Sequence, residues 1–210
     1  MEQETPGRST RRGLPDRARK GRSAGSEEGG ATEQNESLIA RVIRVATGHD
    51  PREEKNSTRA TDMLRDDHRK VRQLFREFKD AGEREHASRK KIVDQITREL
   101  DAHAQIEEKI FYQAFRDVSE EEPKKVVRES FEEHKIVKTL LAELAPMKAS
   151  DEQFEAKVTV LKENVEHHAE EEEDELFPAA EKLFGDEKLE DLGQRMKALK
   201  DRILGETAAS

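Results

Sequence analysis

The sequence predicts an all-α protein, an up-down-up-down four-helix bundle with a short fifth C-terminal helix and a disordered N-terminal tail. Three observations carry this expectation. Charged residues make up 41% of the 210 residues and hydrophobic ones only 32%. That is too apolar-poor for a broad buried sheet but sufficient for helices that each offer one apolar stripe. From Thr61 onward apolar residues recur at helical spacing, and Gly, Pro and Ser signals cut the pattern into runs of helix length.

Residues 1–60 read as a tail. The first 36 are rich in Gly, Ser, Arg and Glu and hold almost no large apolar side chains, so they cannot bury enough surface to offset chain entropy. Within the tail, 37–47 can form a short amphipathic helix through Leu38, Ile39, Val42, Ile43 and Ala46, stopped by Gly48-His49-Asp50-Pro51. The bundle is expected over 61–185. Its first helix covers about 62–81, with Leu64, Val71, Leu74, Phe75 and Phe78 on one face and Gly82 at its end. The second covers about 88–117, with Ile92, Ile96, Leu100, Ile110, Phe111 and Phe115. The third opens on Ser119-Glu120-Glu121-Glu122, a capping-box pattern, with Pro123 in its first turn, and stops before Pro146. The fourth opens on a second such pattern, Ser150-Asp151-Glu152-Gln153, and Pro178 is expected to kink it before Gly185. Residues 186–210 supply the fifth helix, with Leu189, Leu192, Met196, Leu199 and Ile203, and a short tail.

Composition excludes several classes of chemistry. The chain has no Cys, which removes disulfide scaffolds, Cys-based zinc sites, iron–sulfur clusters and cysteine nucleophiles. It has no Trp and one Tyr, so it lacks an aromatic platform for stacking bases. A net charge of −9 repels phosphate and argues against nucleic acid as a partner. No stretch approaches the ~20 apolar residues that span a bilayer. Arg11-Arg12 gives a superficial twin-arginine look, but no apolar segment comes after it, so the expected compartment is the cytoplasm. Oligomeric state stays open.

Four histidines sit inside the apolar stripes, one per helix: His68, His103, His134 and His168. They lie 35, 31 and 34 residues apart, each about one helix plus one loop, so they can converge at one height in the bundle. Two are followed one turn later by a carboxylate on the same face, His103 by Glu107 and His168 by Glu172. The second pairing has a rival, His167 with Glu171, but phase favours His168, since Leu161, Val165, His168, Glu172 and Leu176 share a face. The order His, HxxxE, His, HxxxE repeats, and the halves also match beyond it: Phe111-Tyr112 stand after His103 at the offsets where Leu176-Phe177 stand after His168. This reads as a pseudo-two-fold duplication with two opposed half-sites.

A single core histidine is ordinarily just a satisfied packing residue. Four imidazoles and two carboxylates in one core would instead be costly unless something takes up their lone pairs and charge. A metal does so. The set is too large for one zinc and too nitrogen-rich for calcium or magnesium. It suits two iron ions, or manganese, with Glu107 and Glu172 bridging. None of the four histidines has Glu three residues before it, which disfavours the ferritin-type ligand pattern; the sole Glu-x-x-His, Glu83 to His86, falls in a predicted loop.

On His68, His103-x-x-x-Glu107, His134 and His168-x-x-x-Glu172, the chain resembles the hemerythrin-like HHE cation-binding family over about 60–180. The runs Glu107-Glu108-Lys109-Ile110-Phe111-Tyr112 and Glu172-Glu173-Asp174-Glu175-Leu176-Phe177-Pro178 reinforce the likeness. The resemblance implies a four-helix bundle around an oxo- or hydroxo-bridged non-haem di-iron centre that binds or reduces a small oxidant: O2, NO or H2O2. It also implies roles in oxidative or nitrosative stress or iron homeostasis. The oxygen carriers of that family use five histidines, with HxxxH on the third helix and an Asp on the fourth. Here the residue four after His134 is Lys138. Of roughly 12 coordination positions on two irons, about ten would then be filled, leaving about two open where the carriers leave one. That departure favours redox turnover or sensing over oxygen storage. Catalase-, peroxidase- or NO-reductase-like turnover and simple ligand binding both stay open, and a metal-free helical interaction protein is the alternative.

Other polar residues carry less weight in the sequence. Tyr112 falls nearly opposite His103 on an ideal helix and is expected to pack. Glu175 lies at the edge of the site face as an extra ligand or hydrogen-bond acceptor. Glu108, Glu170, Glu171, Glu173 and Asp174 are expected on a solvated face, and His49, His86 and His167 exposed.

Overall fold

The computed structural model describes residues 58–208. The tail reading and the 37–47 helix lie outside them, apart from the last residues before the first helix. Helix α1 spans Ala60–Asp80, α2 His86–Ile106, α3 Glu121–Leu144 and α4 Phe154–Glu171. Two of these do not stop where their α-helical hydrogen bonding does. A π turn, Glu107–Phe111, and a 3₁₀ turn, Tyr112–Phe115, extend α2, and a π turn, Glu172–Leu176, extends α4. Helix α5, Phe177–Ala208, completes the chain and is broken at Gly185, whose φ of 68° lies in the left-handed region that glycine enters without strain. No strand occurs among the described residues.

The four-helix bundle is the architecture that the apolar stripes predict. Helix α1 packs on α2, α3 packs on α4, and α5 lies across α1 and α2. The stripes of α1 and α4 are buried at their predicted positions: Leu64, Val71, Leu74, Phe75 and Phe78 on α1, and Val158, Leu161 and Val165 on α4.

Two local expectations are corrected. Neither capping box forms. The capping residues just before α3 and α4 are Glu120 and Gln153, with no side-chain cap at either. Ser119 turns to Glu120, and Asp151 instead accepts the Lys148 backbone N–H at 2.8 Å, spending its carboxylate on the preceding turn. The kink expected at Pro178 falls instead at Gly185, inside α5. Pro178 sits just past the π turn Glu172–Leu176, inside the first turn of α5, where a missing N–H is tolerated.

The core is split into two apolar clusters. One gathers Leu64, Ile106, Phe111, Phe115, Leu176 and Phe177 with Leu189, Leu192 and Met196 of α5. The other gathers Val71, Phe75, Ile96, Leu141, Leu161 and Val165 with their neighbours. The four stripe histidines fall in the layer between them. Helix α5 reaches the bundle through Gly193: a Cβ there would stand 1.7 Å from the Thr58 carbonyl oxygen, so only glycine allows this approach.

Candidate metal centre

The structure brings His68, Glu107, Glu172, His103, His134 and His168 into one buried layer, each 5% exposed or less. The histidines pair across neighbouring helices. His68 Nε2 lies 3.2 Å from His103 Nε2, and His134 Nε2 lies 3.2 Å from His168 Nε2. Glu107 spans the two pairs, with Oε1 3.1 Å from His103 Nε2 and Oε2 3.3 Å from His134 Nε2. Glu172 does so from the other side, its Oε2 3.4 Å from His68 Nε2 and 3.5 Å from His168 Nε2. All four Nε2 atoms therefore face one another and two carboxylates. His167 lies on the surface, with its side chain 66% exposed, and His86 opens α2 on the exposed face.

The far side of each imidazole is held as well. Nδ1 of His103 meets Asp67 at 3.5 Å, that of His134 meets Glu108 at 2.9 Å, that of His168 meets Glu133 at 2.8 Å and that of His68 meets Glu173 at 2.8 Å. A carboxylate only accepts, so each Nδ1 donates and each Nε2 points into the layer, where its deprotonated form can bind a cation. The four contacts form a closed ring: α1 holds the histidine of α2, the turn after α2 holds that of α3, α3 holds that of α4, and the turn after α4 holds that of α1. The pseudo-two-fold survives in it. Asp67 and Glu133 precede the histidines of α1 and α3, while Glu108 and Glu173 come directly after the layer glutamates.

This corrects the expectation that Glu108 and Glu173 lie on a solvated face. Glu175, in contrast, is exposed and takes no part in the layer. The readable signal for the ring was the acidic residue adjoining His68, His134, Glu107 and Glu172. Runs of Glu concealed it, because adjacency does not show which carboxylate turns inward.

Tyr112 is the second correction. It is 1% exposed, stacks on His134 with ring centroids 5.8 Å apart, and donates its hydroxyl to Glu172 Oε1 at 2.8 Å. A π turn takes up about one extra residue, so it rotates the downstream residues by ~100° from ideal α-helical phase. The turn at Glu107–Phe111 thus carries Tyr112 from the far side of the helix to the layer. Phe177 occupies the matching place after the second π turn and stacks on His68 at 5.7 Å. Only one of the two equivalent rings carries a hydroxyl.

Electrostatics in the layer are those of buried opposite charges. Burial alone would push the His103 imidazole down, but the Glu107 charge, the hydrogen bond that the ring donates to Asp67 and the closeness of Glu107 Oε1 outweigh it and raise it to about 10. His134 is raised against its own burial by Glu107 and Glu108, to about 9. His68 also moves up, because Glu172 and Glu173 outweigh its burial. Glu107 is held well below the usual carboxylate range by His103 and His134, despite burial that would raise it. Protons on His103 and His134 thus neutralise the carboxylates where cations could.

A fit test for metal comes from the carboxylates. Both oxygens of Glu107 and Oε2 of Glu172 are buried and accept no hydrogen bond. Buried carboxylate oxygens are seldom left so, and a cation placed among the facing Nε2 atoms would satisfy them. The ligating atoms of His68, His103, Glu107 and Glu172 lie within 4.8 Å of one another, as do those of Glu107, His134 and His168. Against the layer, Val71, Leu100, Val137 and Val165 wall a cavity of ≈ 20 Å³. Lys138 points away from it and donates to Glu108 at 2.6 Å.

Fold and layer together define a class: a helical bundle whose core holds a histidine–carboxylate site suited to cations. The hemerythrin HHE cation-binding domain matches residues 59–180, more than half of the chain, and the chain belongs to that family. It is similar to the crystal structure of a hemerythrin HHE cation-binding domain-containing protein from Mycobacterium kansasii. The two share 28% identity with a TM-score of 0.62, over 72% of this chain and 90% of the other. An uncharacterized hemerythrin-like protein of Schizosaccharomyces pombe is 32% identical over 130 residues, which is 62% of this chain and 63% of that protein. A DNA nickase of Nostoc is 29% identical over 150 residues, 71% of this chain and 41% of that protein. The chain thus spans less than two thirds of each of these two curated relatives. No helix among the described residues is long and apolar enough to cross a membrane.

Proposed function

We propose that the chain is a non-haem di-iron protein that binds or reduces a small oxidant, O2, NO or H2O2. The observation that carries this reading is the set of facing Nε2 atoms around the unpartnered oxygens of Glu107 and Glu172. His68 and His103 would hold one iron, His134 and His168 the other, with Glu107 and Glu172 shared between them. Bound iron supplies reversible electron transfer to a ligand at an open coordination position. The protein's own part is positioning and exclusion. The carboxylate ring fixes each imidazole, Tyr112 orients Glu172, and the valines and Leu100 keep the adjoining cavity apolar. At ≈ 20 Å³ the cavity admits something the size of one water, which supports a diatomic or peroxide ligand over a larger substrate.

The test is metal content and near-ultraviolet absorption of the aerobically purified protein. About two irons per chain with charge-transfer absorption support the reading. A helical chain that takes up no iron on reconstitution overturns it and leaves a metal-free interaction domain. Rapid loss of H2O2 that disappears in Glu107→Ala would place the protein among enzymes. Tight NO or O2 binding without turnover would make it a sensor or store.

A further inference from the structure

Lys200 stands on α5, beyond the 59–180 segment that matches the family. It is only 8% exposed, and an ammonium is buried to that degree only against partners. It donates to Asp67 Oδ1 and lies 3.7 Å from Glu99 Oε2, while Lys70 takes the other Glu99 oxygen at 2.6 Å. The remaining oxygen of Asp67 is the acceptor for His103 Nδ1. A chain of contacts therefore runs from the C-terminal helix to one layer histidine.

The other three carboxylates of the ring are held differently. Their neighbours come from the bundle itself: the cations Arg72 at Glu173 and Lys138 at Glu108, and the exposed His167 ring 3.8 Å from Glu133. Those carboxylates are 28%, 24% and 20% exposed, where Asp67 is 10%. Water can orient and screen the first three. Asp67 has little water and the longest of the four Nδ1 contacts, so its direction depends on the cation that holds its other oxygen.

We propose that Lys200 is a positioning residue for the metal centre. It holds Asp67 so that Asp67 orients His103, and the C-terminal helix thereby sets the cation affinity of the His68–His103 half-site. This rests on the metal reading above. Gly193, two turns earlier on the same helix, is the contact that keeps Lys200 in reach.

The experiment is anaerobic titration of the metal-free full chain with iron(II) against a competing chelator, with circular dichroism alongside. In Lys200→Met, one iron per chain is expected to bind as in the wild type and the other roughly 10–100-fold more weakly, the usual effect of losing a residue that orients a ligand. Lys200→Arg is expected to recover most of that loss. In Asp67→Asn, adding Lys200→Met is expected to change iron affinity no further, because Lys200 acts only through Asp67. This double variant removes both charges and so stays informative if Lys200→Met alone does not fold. Wild-type affinity for both irons in folded Lys200→Met overturns the proposal, as does an additive further loss in the double variant. A wild-type chain that takes no iron overturns the metal reading and this inference with it.

Discussion

Glu107 places one oxygen beside His103 and the other beside His134, so both halves of the layer depend on it, as they do on Glu172 from the other side. Glu107→Gln is expected to lower iron below one per chain, measured by metal analysis of the folded variant. On the proposed di-iron reading, Glu108→Gln, which reaches the layer only through Nδ1 of His134, is expected to keep two irons per chain with about 10–100-fold weaker affinity for one. Equal losses in the two variants would contradict the geometry. Tyr112 gives a second residue-scale test. Tyr112→Phe keeps the packing on His134 and removes the hydroxyl that Glu172 Oε1 accepts, leaving a further buried carboxylate oxygen bare. The metal-free protein is expected to lose about 1–3 kcal/mol, read by denaturant unfolding. The six layer residues were legible because spacing on the stripe selects them. Tyr112 was not, because its position depends on a π turn that no periodicity in the chain announces.

At the scale of elements, the helices derive from their stripes and their ends do not. The apolar spacing of 62–81 predicts α1 to within two residues, since burial of Leu64, Val71, Phe75 and Phe78 leaves that segment no other register. The expected capping boxes of α3 and α4 failed because a cap contributes only ~1 kcal/mol and competing turn contacts are as good. The two π turns begin at Glu107 and Glu172, the layer carboxylates, where a local change of winding re-aims the side chains beyond them. Helix α5 docks through one atom-sized allowance. Gly193→Ala places a methyl against the Thr58 carbonyl, and the cost of overpacking is typically about 1–3 kcal/mol. Thermal unfolding is expected to register that loss, while Gly205→Ala, with open space around it, is expected to be neutral or slightly stabilising. A Gly193→Ala protein as stable as the wild type would mean that α5 does not sit on residues 58–60 as described.

For the whole molecule, the layer makes the stability of the metal-free fold depend on pH. In the metal-free fold His103 and His134 titrate near 10 and 9. In the unfolded chain they titrate at ~6.5. A raised imidazole value stabilises the fold fully below the unfolded value, and that contribution fades as pH rises through 9 to 10. The carboxylates act in the other direction. Glu107, Glu108 and Glu173 are lowered, Glu173 to about 2, so they contribute above ~4.5 and lose that contribution only as pH falls through their folded values. The metal-free protein is therefore expected to be most stable at about pH 4.5–6.5 and to weaken steadily towards pH 10, measured as Tm against pH. Loading with cations at pH 7 must displace the imidazole protons. Release of about two protons or more per chain is expected in a weakly buffered solution with an indicator dye. A metal-free Tm that stays flat to pH 10, or loading without proton release, would contradict the charge state of the layer.

The sequence by itself determined the helical class, the run of stripes and the six histidines and glutamates of the layer. These come from one-dimensional period and burial, which each helix satisfies on its own. Which carboxylate holds which histidine, the inward turn of Tyr112 and the reach of Lys200 to Asp67 were decided only by the tertiary structure. Each of these joins one helix to another, and such contacts depend on relative helix rotation and height, which local spacing along a chain does not encode.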